Sequence, residues 1–351
     1  MEKFLPETMK CIVTTGDGKF ELKRLPLPSP NPHQILVKVE TCAQNHTDWK
    51  SIILHKQAGN IVGSDFAGIV VAIGSAVNPA TRHVGERIAG VVRGNINPNG
   101  AFAEYLVTDP ALVFALPDDL SFELAVQLGV SCFATCQALY QTLNLPTPLE
   151  PTTDPIGILI WSGSSSMGQY AVQFANLAGL RVISTSSPAN FDLVRSFGAA
   201  EVYDYADSRT ARKIFSSTAG KLKLAVDCIS DGMTPAQVSG ALSKEGGTIV
   251  TVLPYTSRKK GVNTELILVY SMWGETIQIP MPLEGDIQHY LNGIQYNRMI
   301  TDMLAKKMLK LGAVKVFPNG LASVQDGFEY MMTGKIHAEK IVYRIADTPE
   351  I

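Results

Sequence analysis

Hydrophobic positions in the first third of the chain fall in short runs rich in β-branched residues. Examples are the runs at 35–45 (ILVKVETCAQN), 66–74 (FAGIVVAIG) and 87–92 (RIAGVV), which Gly, Pro and Asn residues separate. This pattern predicts short strands joined by tight turns, and hence a strongly bent sheet or a small barrel. Near residues 121–145 the apolar spacing becomes helical, and the proline-rich stretch 146–155 then predicts an exposed connector.

From Ile156 onward, strand-like apolar runs such as GILIW (157–161) alternate with helical stretches. Alternation of this kind is typical of a parallel sheet with right-handed crossovers, so we predict a doubly wound α/β domain. We assign residues 131–289 to that domain. Residues 1–130 and 290–351 form the β-rich domain, because the closing helices and strand can return to it.

Composition narrows the function classes. A length of 351 residues indicates roughly two domains, since domains usually span about 100 to 200 residues. With 46% hydrophobic and 18% charged residues, the chain has the composition of a globular protein. The net charge of −2 gives no electrostatic reason to bind nucleic acid or anionic lipid, so a small ligand is favoured.

Targeting signals and cysteine spacing bear on the compartment. No run approaches the ~18 apolar residues of a membrane span, and the N-terminal residues lack the apolar core of a secretion signal. The five cysteines form no evenly spaced framework, which fits a reducing compartment. We therefore expect a cytoplasmic protein with no membrane segment.

A serine-rich turn follows the strand GILIW and opens a predicted helix, at the position where doubly wound folds bind nucleotides. Gly163 and Gly168 allow a tight backbone, and helix N-terminal amides favour a phosphate. The turn residues Ser164, Ser165, Ser166 and Met167 would surround that phosphate, with the serines adding hydroxyl donors. The alternative is a serine helix cap with nothing bound.

The end of the next strand indicates which cofactor is bound. NAD-binding folds usually place an acidic residue there to bind the ribose 2′-hydroxyl, about 20 residues after the glycines. This strand ends in Ser187, Pro188 and Asn190, with no acid before Asp192. Hydroxyl and amide groups accommodate a 2′-phosphate that an acid would repel, so NADPH is favoured over NADH. The alternative is ordinary turn chemistry.

Several motifs give the chain a family resemblance over essentially its full length: GSDFAGIVVAIGSAV, VGERIAG, GAFAEY, GSSSMGQYAVQFANLAG and SFGAAEVYDY. With these motifs the chain resembles the medium-chain dehydrogenase/reductase superfamily. SSPANFDLVRSFGA, LAVDCIS and HAEKIVYRI are similar to the trans-acting enoyl reductases of fungal polyketide synthases, the lovastatin-type and ToxD-like groups. The resemblance implies a GroES-like β-rich catalytic domain and a Rossmann NADP-binding domain.

The residues argue against the zinc of related alcohol dehydrogenases. Where those enzymes have Cys-His-Thr-Asp, this chain has Asn45 to Asp48, and Gly63-Ser64-Asp65 replaces their Gly-His-Glu. A catalytic zinc needs three protein ligands, so we expect no metal. Cys132 and Cys136 lie four apart on a predicted helix and read as apolar helix residues.

Without zinc, reduction of a conjugated alkene is the favoured chemistry, since hydride at the β-carbon leaves an enolate that hydrogen-bond donors can stabilise. Lys50 and Thr135 are candidate donors, although Lys50 reads equally well as a solvated lysine, and no proton donor can be named. The resemblance implies that the cofactor contacts the turn and strand-end residues above and also Thr47, Asp48, Lys50, Tyr205, Val252, Leu253, His337, Ala338 and Lys340.

Two mainly apolar segments are candidates for the acyl chain, with packed core as the alternative reading. They contribute Thr135, Cys136, Tyr140 and Leu143 from one segment and Val269, Tyr270, Ser271, Met272 and Trp273 from the other. Met and Trp side chains suit a flexible hydrocarbon chain.

The expected function is therefore reduction of a carrier-bound enoyl thioester by NADPH, with a polyketide synthase or a synthase–peptide synthetase hybrid as partner. A free-standing quinone or enone reductase and a non-catalytic NADPH-binding protein are the alternatives. Pro280 and Pro282 lie where related dimers join their edge strands, which predicts a monomer because proline removes backbone donors.

Overall fold

The computed structural model describes residues 5–278 and 282–351. Within these residues the strands are β1 (Thr8–Thr15), β2 (Phe20–Pro26), β3 (Ile35–Ala43), β4 (Ala58–Ile61), β5 (Asp65–Ile73), β6 (Arg87–Val91), β7 (Tyr105–Thr108), β8 (Val113–Ala115), β9 (Gly157–Trp161), β10 (Arg181–Ser186), β11 (Glu201–Asp204), β12 (Leu224–Asp227), β13 (Gly247–Thr251), β14 (Val262–Leu266), β15 (Ala313–Phe317) and β16 (Glu339–Arg344).

The α-helices in the same residues are α1 (His46–His55), α2 (Phe122–Ala125), α3 (Gly129–Cys136), α4 (Ser166–Leu177), α5 (Phe191–Ser196), α6 (Thr210–Ser217), α7 (Thr234–Ala241), α8 (Ile287–Ala305) and α9 (Val324–Met332). A π-helix, Gln137–Thr142, continues α3. Short 3₁₀ turns include Pro188–Asn190 and Val269–Trp273.

The first compact unit comprises the chain up to Val130 together with Tyr270–Ile351. Its larger sheet has the strand order β15-β16-β3-β5-β6-β8, with β7 paired to β3, and a smaller sheet has the order β2-β1-β4. The pairing of β3 is antiparallel to both β5 and β16, with Ala43 opposite Asp65 and Val342. The carboxyl end of β3 therefore lies beside the amino ends of β5 and β16, which places three chain-distant segments side by side.

The second unit, Ser131–Val269, contains a parallel sheet with the order β11-β10-β9-β12-β13-β14. This is the order of a doubly wound dinucleotide-binding fold, in which ligands bind outside the carboxyl ends of the strands. Its buried core includes Leu159, Trp161, Ile183 and Ile249, contributed by the central strands. The fold class expected from the sequence is confirmed, with a β-rich unit and a doubly wound α/β unit.

Residues 270–278 and 282–289 lie in the first unit, whereas the sequence assigned them to the nucleotide-binding domain. The reason is a set of side-chain contacts within that unit. The Tyr270 hydroxyl lies 3.1 Å from the Ser64 hydroxyl, and the Arg93 guanidinium lies over the Trp273 ring. Apolar periodicity could not reveal these polar contacts.

Two further sequence expectations concern a membrane segment and the edge of the parallel sheet. The helical stretch Phe122–Thr142 is long and apolar enough to cross a bilayer, but 78% of its most apolar window is buried inside the protein, as in a core helix. Pro280 lies outside the described residues. Pro282 adjoins an antiparallel bridge between Ile277 and Leu283 in the first unit, whereas the described edges of the parallel sheet are β11 and β14. Pro282 therefore lies outside the described strands of that sheet, and the monomeric state stays a prediction.

Candidate cofactor and active site

The turn between β9 and α4 has the geometry of a phosphate-binding loop. Ser162 adopts a left-handed conformation with φ of +67°, which turns the chain sharply after the strand. A Cβ atom at Gly168 would lie 2.1 Å from the Ser162 carbonyl oxygen, so only glycine allows the helix to start this close to the strand. The amino end of the twelve-residue helix α4 therefore faces the carboxyl edge of the sheet, where its amides and dipole favour an anion.

The three serines of this turn have different roles. The Ser165 hydroxyl caps α4, accepting a hydrogen bond from the Gly168 amide at 3.1 Å and donating one to the Ser162 carbonyl at 2.7 Å. Ser164 and Ser166 are half-buried on either side of it. The sequence expected all three hydroxyls to face a pyrophosphate, but the cap already engages that of Ser165.

The carboxyl ends of β10 and β11 bring together the residues expected near the adenosine. Ser186 lies opposite Asp204 in the parallel register, and the Tyr205 amide donates to the Ser186 carbonyl. Asn190 Nδ2 donates to the Ser187 hydroxyl at 3.2 Å across the short turn that Pro188 begins. The Tyr205 side chain is 49% exposed, so it is free of the core and offers a ring face.

The ends of β12 and β13 are joined by polar residues that the sequence analysis did not single out. The buried Asp227 carboxylate accepts hydrogen bonds from the Ser230 amide and the Thr234 hydroxyl. The Ser230 hydroxyl in turn accepts from the amide of Val252, a residue expected beside the nicotinamide, and Leu253 follows it. The sequence signal that could have identified this network is the acid that ends the apolar strand LAVD.

In the first unit, Lys340 and Asp65 form a buried ion pair beside Asn45. The Lys340 ammonium lies 2.9 Å from Asp65 Oδ2 and donates to Asn45 Oδ1 at 2.6 Å, while Asn45 Nδ2 donates to Asp65. Asp65 also accepts from the Val130 amide at 2.7 Å. The Lys340 side chain is 4% exposed and is paired with Asn45 and Asp65, and the cofactor contact that the resemblance implies for Lys340 stays a prediction.

A second buried network lies beside this ion pair. The backbone N–H of Asn45 donates to Asp48 Oδ2 at 2.6 Å, and the Ser64 hydroxyl donates to Asp48 Oδ1 at 3.1 Å. Ser64 also contacts the Tyr270 hydroxyl at 3.1 Å. Burial raises the pKa of Asp48 to about 7, although the hydrogen bond from the Asn45 backbone N–H lowers it in part. Asp48 is fully buried, so it acts on the site through its hydrogen bond with Ser64.

The remaining first-unit candidates lie closer to the surface. Thr47 and Lys50 are half-buried on α1, and the Lys50 ammonium lies 5.6 Å from the centroid of the Trp49 ring. His337 is exposed. Ala338 has a φ of +56°, a left-handed conformation that is unfavourable for alanine and fixes the chain just before β16.

The candidate acyl-binding residues fall in both units. In the second unit, the buried Thr135 hydroxyl lies 3.5 Å from the carbonyl of Met167, which joins this helix to the serine turn. Cys136 and Tyr140 are buried and Leu143 is half-buried. Tyr140 belongs to the π-helix, a rare form that is frequent at functional sites.

Val269 ends the second unit, and the other residues of its 3₁₀ turn belong to the first. Ser271 contacts His289 Nδ1 at 2.9 Å, Met272 is buried, and Trp273 stacks with Arg93. Met272 and Ser271 therefore read as packed positions, while Tyr270 and Trp273 remain the residues of this turn with accessible ring surface.

The residues present do not fit a zinc ion. Among residues 5–278 and 282–351, no group of three or more His, Cys, Asp or Glu side chains is placed to hold a metal. Asn45 and Ser64 offer an amide and a hydroxyl, which are poor zinc ligands, and Asp65 is already paired with Lys340.

Comparison with known proteins shows two matching family models and similar proteins that span the chain. The alcohol dehydrogenase GroES-like domain matches residues 31–118, and the zinc-binding dehydrogenase model matches residues 166–268. Trans-enoyl reductase ACTTS2 of Alternaria alternata is 34% identical over 343 residues, covering 96% of this chain and 99% of the relative.

Solved structures share the fold. The crystal structure of CurK enoyl reductase has a TM-score of 0.77 and 19% identity, with 95% of this chain and 98% of that chain covered. The crystal structure of a putative NADPH:quinone reductase from Bacillus thuringiensis has a TM-score of 0.77 and 17% identity, with 96% and 99% covered. At these identities the two structures agree with this chain in architecture alone.

Proposed function

Because the chain belongs to the trans-enoyl reductase family of the medium-chain dehydrogenase/reductase superfamily, we propose that it reduces the α,β-unsaturated thioester of a polyketide intermediate with NADPH. The intermediate would be bound to the carrier domain of a separate synthase, either a polyketide synthase or a synthase–peptide synthetase hybrid. The product is the corresponding saturated thioester.

The second unit supports the cofactor assignment. The turn before α4 offers helix amides and the hydroxyls of Ser164 and Ser166 to a pyrophosphate. At the end of β10, Ser187 and Asn190 hold a hydroxyl and an amide where NAD-binding proteins usually carry an acid. The cofactor, when bound, supplies the hydride for the β-carbon. The residues of this chain bind and orient it.

The observation that carries the proposal is the buried polar arrangement of Asn45, Ser64 and Asp65, with the Tyr270 hydroxyl beside Ser64. Lys340 neutralises Asp65, so the carboxylate is an internal counter-ion with no capacity for a metal. Asn45 and Ser64 donate to Asp65 and Asp48, so the partly exposed Tyr270 hydroxyl is the donor that suits the transient negative charge of a thioester enolate. A simple ketone or alcohol lacks this stabilised intermediate and would benefit more from a Lewis acid.

The test is an assay of NADPH oxidation with an enoyl pantetheine thioester, with formation of the saturated thioester measured by mass spectrometry. We expect one saturated thioester per NADPH oxidised, with little oxidation of NADPH by simple quinones. Turnover of quinones alone would instead identify a quinone reductase. Tight NADPH binding with no turnover of either substrate would identify a non-catalytic binding protein.

A further inference from the structure

We propose that Tyr270 is the general acid that protonates the substrate α-carbon, and that Ser64 and Asp48 return a proton to its hydroxyl. The inference rests on the proposed enoyl reductase function and names the proton donor of that reaction. Tyr270 would be a catalytic residue. Ser64 and Asp48 would act through it.

The three side chains form a continuous hydrogen-bonded chain within the first unit. The Tyr270 and Ser64 hydroxyl oxygens are 3.1 Å apart, and Ser64 Oγ is 3.1 Å from Asp48 Oδ1. Ser64 and Asp48 are fully buried, whereas Tyr270 is partly exposed. This hydrogen-bonded network therefore extends from the protein interior to Tyr270, a side chain that can reach a ligand.

The Tyr270 hydroxyl is placed among groups that stabilise its ionised form. Thr47, expected to contact the cofactor, hydrogen-bonds to Tyr270, as does Ser64. Burial and the Asp48 carboxylate nevertheless raise the pKa of Tyr270 to about 12, so the phenol stays protonated at neutral pH. A phenol of this acidity can protonate a thioester enolate, which is a far stronger base, and its ionised form is quickly reprotonated.

The protonation state of Asp48 sets which way the hydrogen bonds among Tyr270, Ser64 and Asp48 donate. When Asp48 is ionised, its carboxylate accepts from Ser64, and Ser64 accepts from Tyr270, so the tyrosine proton points inward. When Asp48 is protonated, the carboxylic acid donates to Ser64 and Ser64 donates to Tyr270. The Tyr270 proton is then directed away from Ser64, toward a substrate.

Burial makes this switch accessible near neutral pH, since it raises the pKa of Asp48 to about 7. The titratable and charged groups that interact with Asp48 are Cys42, Asp65, Tyr270, Lys340 and Tyr343. Lys340 is paired with Asp65. Burial raises the pKa of the Cys42 thiol and of the Tyr343 phenol, so both stay protonated while Asp48 titrates.

The proposed step balances in atoms and electrons. Hydride from NADPH forms a C–H bond at the β-carbon, and the alkene electron pair becomes the enolate. The α-carbon then forms a C–H bond with the proton of Tyr270, whose O–H bond breaks. Ser64 passes its proton to the phenolate and receives one from the Asp48 carboxylic acid, and water reprotonates Asp48.

The first test replaces Tyr270 by Phe and follows reduction of the enoyl pantetheine thioester in deuterated water. A general acid typically contributes 10²–10⁴-fold, so we expect kcat to fall by about a hundredfold, with the KM for NADPH little changed. The wild-type enzyme should place deuterium on one face of the α-carbon. The variant should give a mixture of both faces, because water then protonates a free enolate.

Tyr290→Phe is the matched control, since the Tyr290 hydroxyl is also partly buried in the first unit and donates to Asp109 at 2.8 Å. It should keep wild-type kcat and one-sided deuteration. If Tyr270→Phe also kept one-sided deuteration and a near-normal kcat, Tyr270 would not be the acid.

The second test concerns the relay. Wild-type kcat should fall as the pH rises through about 7, because the protonated form of Asp48 is required. Asp48→Asn should lower kcat and abolish this dependence, because an amide cannot transfer the proton. An unchanged pH profile in Asp48→Asn would remove Asp48 from the mechanism.

A measurement without substrate separates this inference from the proposed function. The carboxylic acid band of Asp48 can be followed by infrared difference spectroscopy of wild-type protein against Asp48→Asn during a pH titration. Ser64→Ala removes a hydrogen bond that favours the ionised carboxylate, so the midpoint should move to higher pH. A shift in protein that reduces no enoyl thioester would uphold the network and reject the substrate, whereas an unmoved midpoint would overturn the relay.

Discussion

Lys340 shows how one buried charge is held in this protein. Its ammonium is 4% exposed and depends on Asp65 and Asn45 for compensation. Asp65 in turn accepts from the Val130 amide, and a Cβ at Gly129 would lie 2.4 Å from its Oδ1. Because a buried charge that loses its partner is strongly unfavourable, the whole arrangement is coupled.

We expect Lys340→Met to lower the free energy of unfolding by about 3–5 kcal/mol, because Asp65 is then left buried and unpaired. Chemical denaturation at neutral pH measures the change. The double variant Lys340→Met with Asp65→Asn removes both charges and should recover a large part of the loss. Equal destabilisation in the single and double variants would contradict this account.

Asp48 should make stability depend on pH. Its pKa is raised from 3.8 to about 7 in the folded protein, so between about pH 4 and 7 the unfolded chain releases a proton that the folded chain retains. The free energy of unfolding should therefore fall as the pH rises through this window, by up to about 4 kcal/mol. Asp48→Asn should lack this contribution. If the free energy of unfolding depended on pH in the same way in the wild type and in Asp48→Asn, Asp48 would not titrate as described.

Ser187 tests the cofactor preference. Ser187→Asp places an acid at the end of β10, where it would repel a 2′-phosphate. We expect kcat/KM with NADPH to fall by roughly tenfold or more, with a much smaller change for NADH. Ser216→Asp makes the same substitution on the exposed side of α6 and should change neither value. Equal losses with both cofactors would argue against a 2′-phosphate at Ser187.

At the scale of elements, the amino end of α4 joins helix stability to the proposed cofactor site. The Ser165 hydroxyl caps the helix, and in the proposed function the amides of the same turn face the cofactor phosphates. Two other helices have different specialisations: α3 passes into a π-helix at Gln137, and α1 begins at the Asn45 cap, whose backbone N–H donates to Asp48. Helix ends therefore carry much of the polar organisation of both units.

We expect Ser165→Ala to lower the free energy of unfolding by about 1 kcal/mol, because the Gly168 amide loses its capping partner. Ser165→Asn preserves a cap and should stay close to wild type in thermal denaturation. Isothermal titration should show that the NADPH affinity follows helix stability in both variants. A large loss of affinity in the well-capped Asn variant would instead indicate direct contact between the Ser165 hydroxyl and the cofactor.

At the scale of the whole molecule, the two units have separate sheets and separate buried cores. One of the two described edges of the parallel sheet is β14, a strand of five residues that carries the exposed Glu265. Short, charged edge strands pair poorly with a second copy. This feature of β14 is consistent with the prediction of a monomer.

Sedimentation velocity at micromolar concentration should show a single species with the mass of one chain, and the sedimentation coefficient should not change with protein concentration. Glu265→Val removes the charge on the β14 edge. If two copies can pair through β14, this variant should self-associate more strongly than the wild type. Lys213→Val on the exposed side of α6 is the control for a general loss of surface charge. A wild-type dimer would contradict the prediction.

Local patterns in the sequence were sufficient for the fold class, and they also predict the cofactor turn. The β-branched runs, the strand–helix alternation after Ile156 and the acid-free end at Ser187 each depend on residues close together in the chain. Strand period, turn chemistry and helix capping act over a few residues, so the sequence records them directly. The π-helix at Gln137 and the edge strand β14 were not foreseen, because their local sequence resembles that of ordinary elements.

Tertiary structure alone decided how the buried polar groups are paired. Lys340 meets Asn45 across 295 residues, and Tyr270 meets Ser64 across 206. These pairings follow from the register of β3 with β5 and β16 and from the return of the chain at Tyr270. A buried charge or hydroxyl must find a partner wherever the packing places one, and no local pattern encodes that position. The sequence by itself thus determined the fold class and predicts the cofactor turn, while the tertiary structure decided which buried polar groups are paired and so which of them the proposed relay can use.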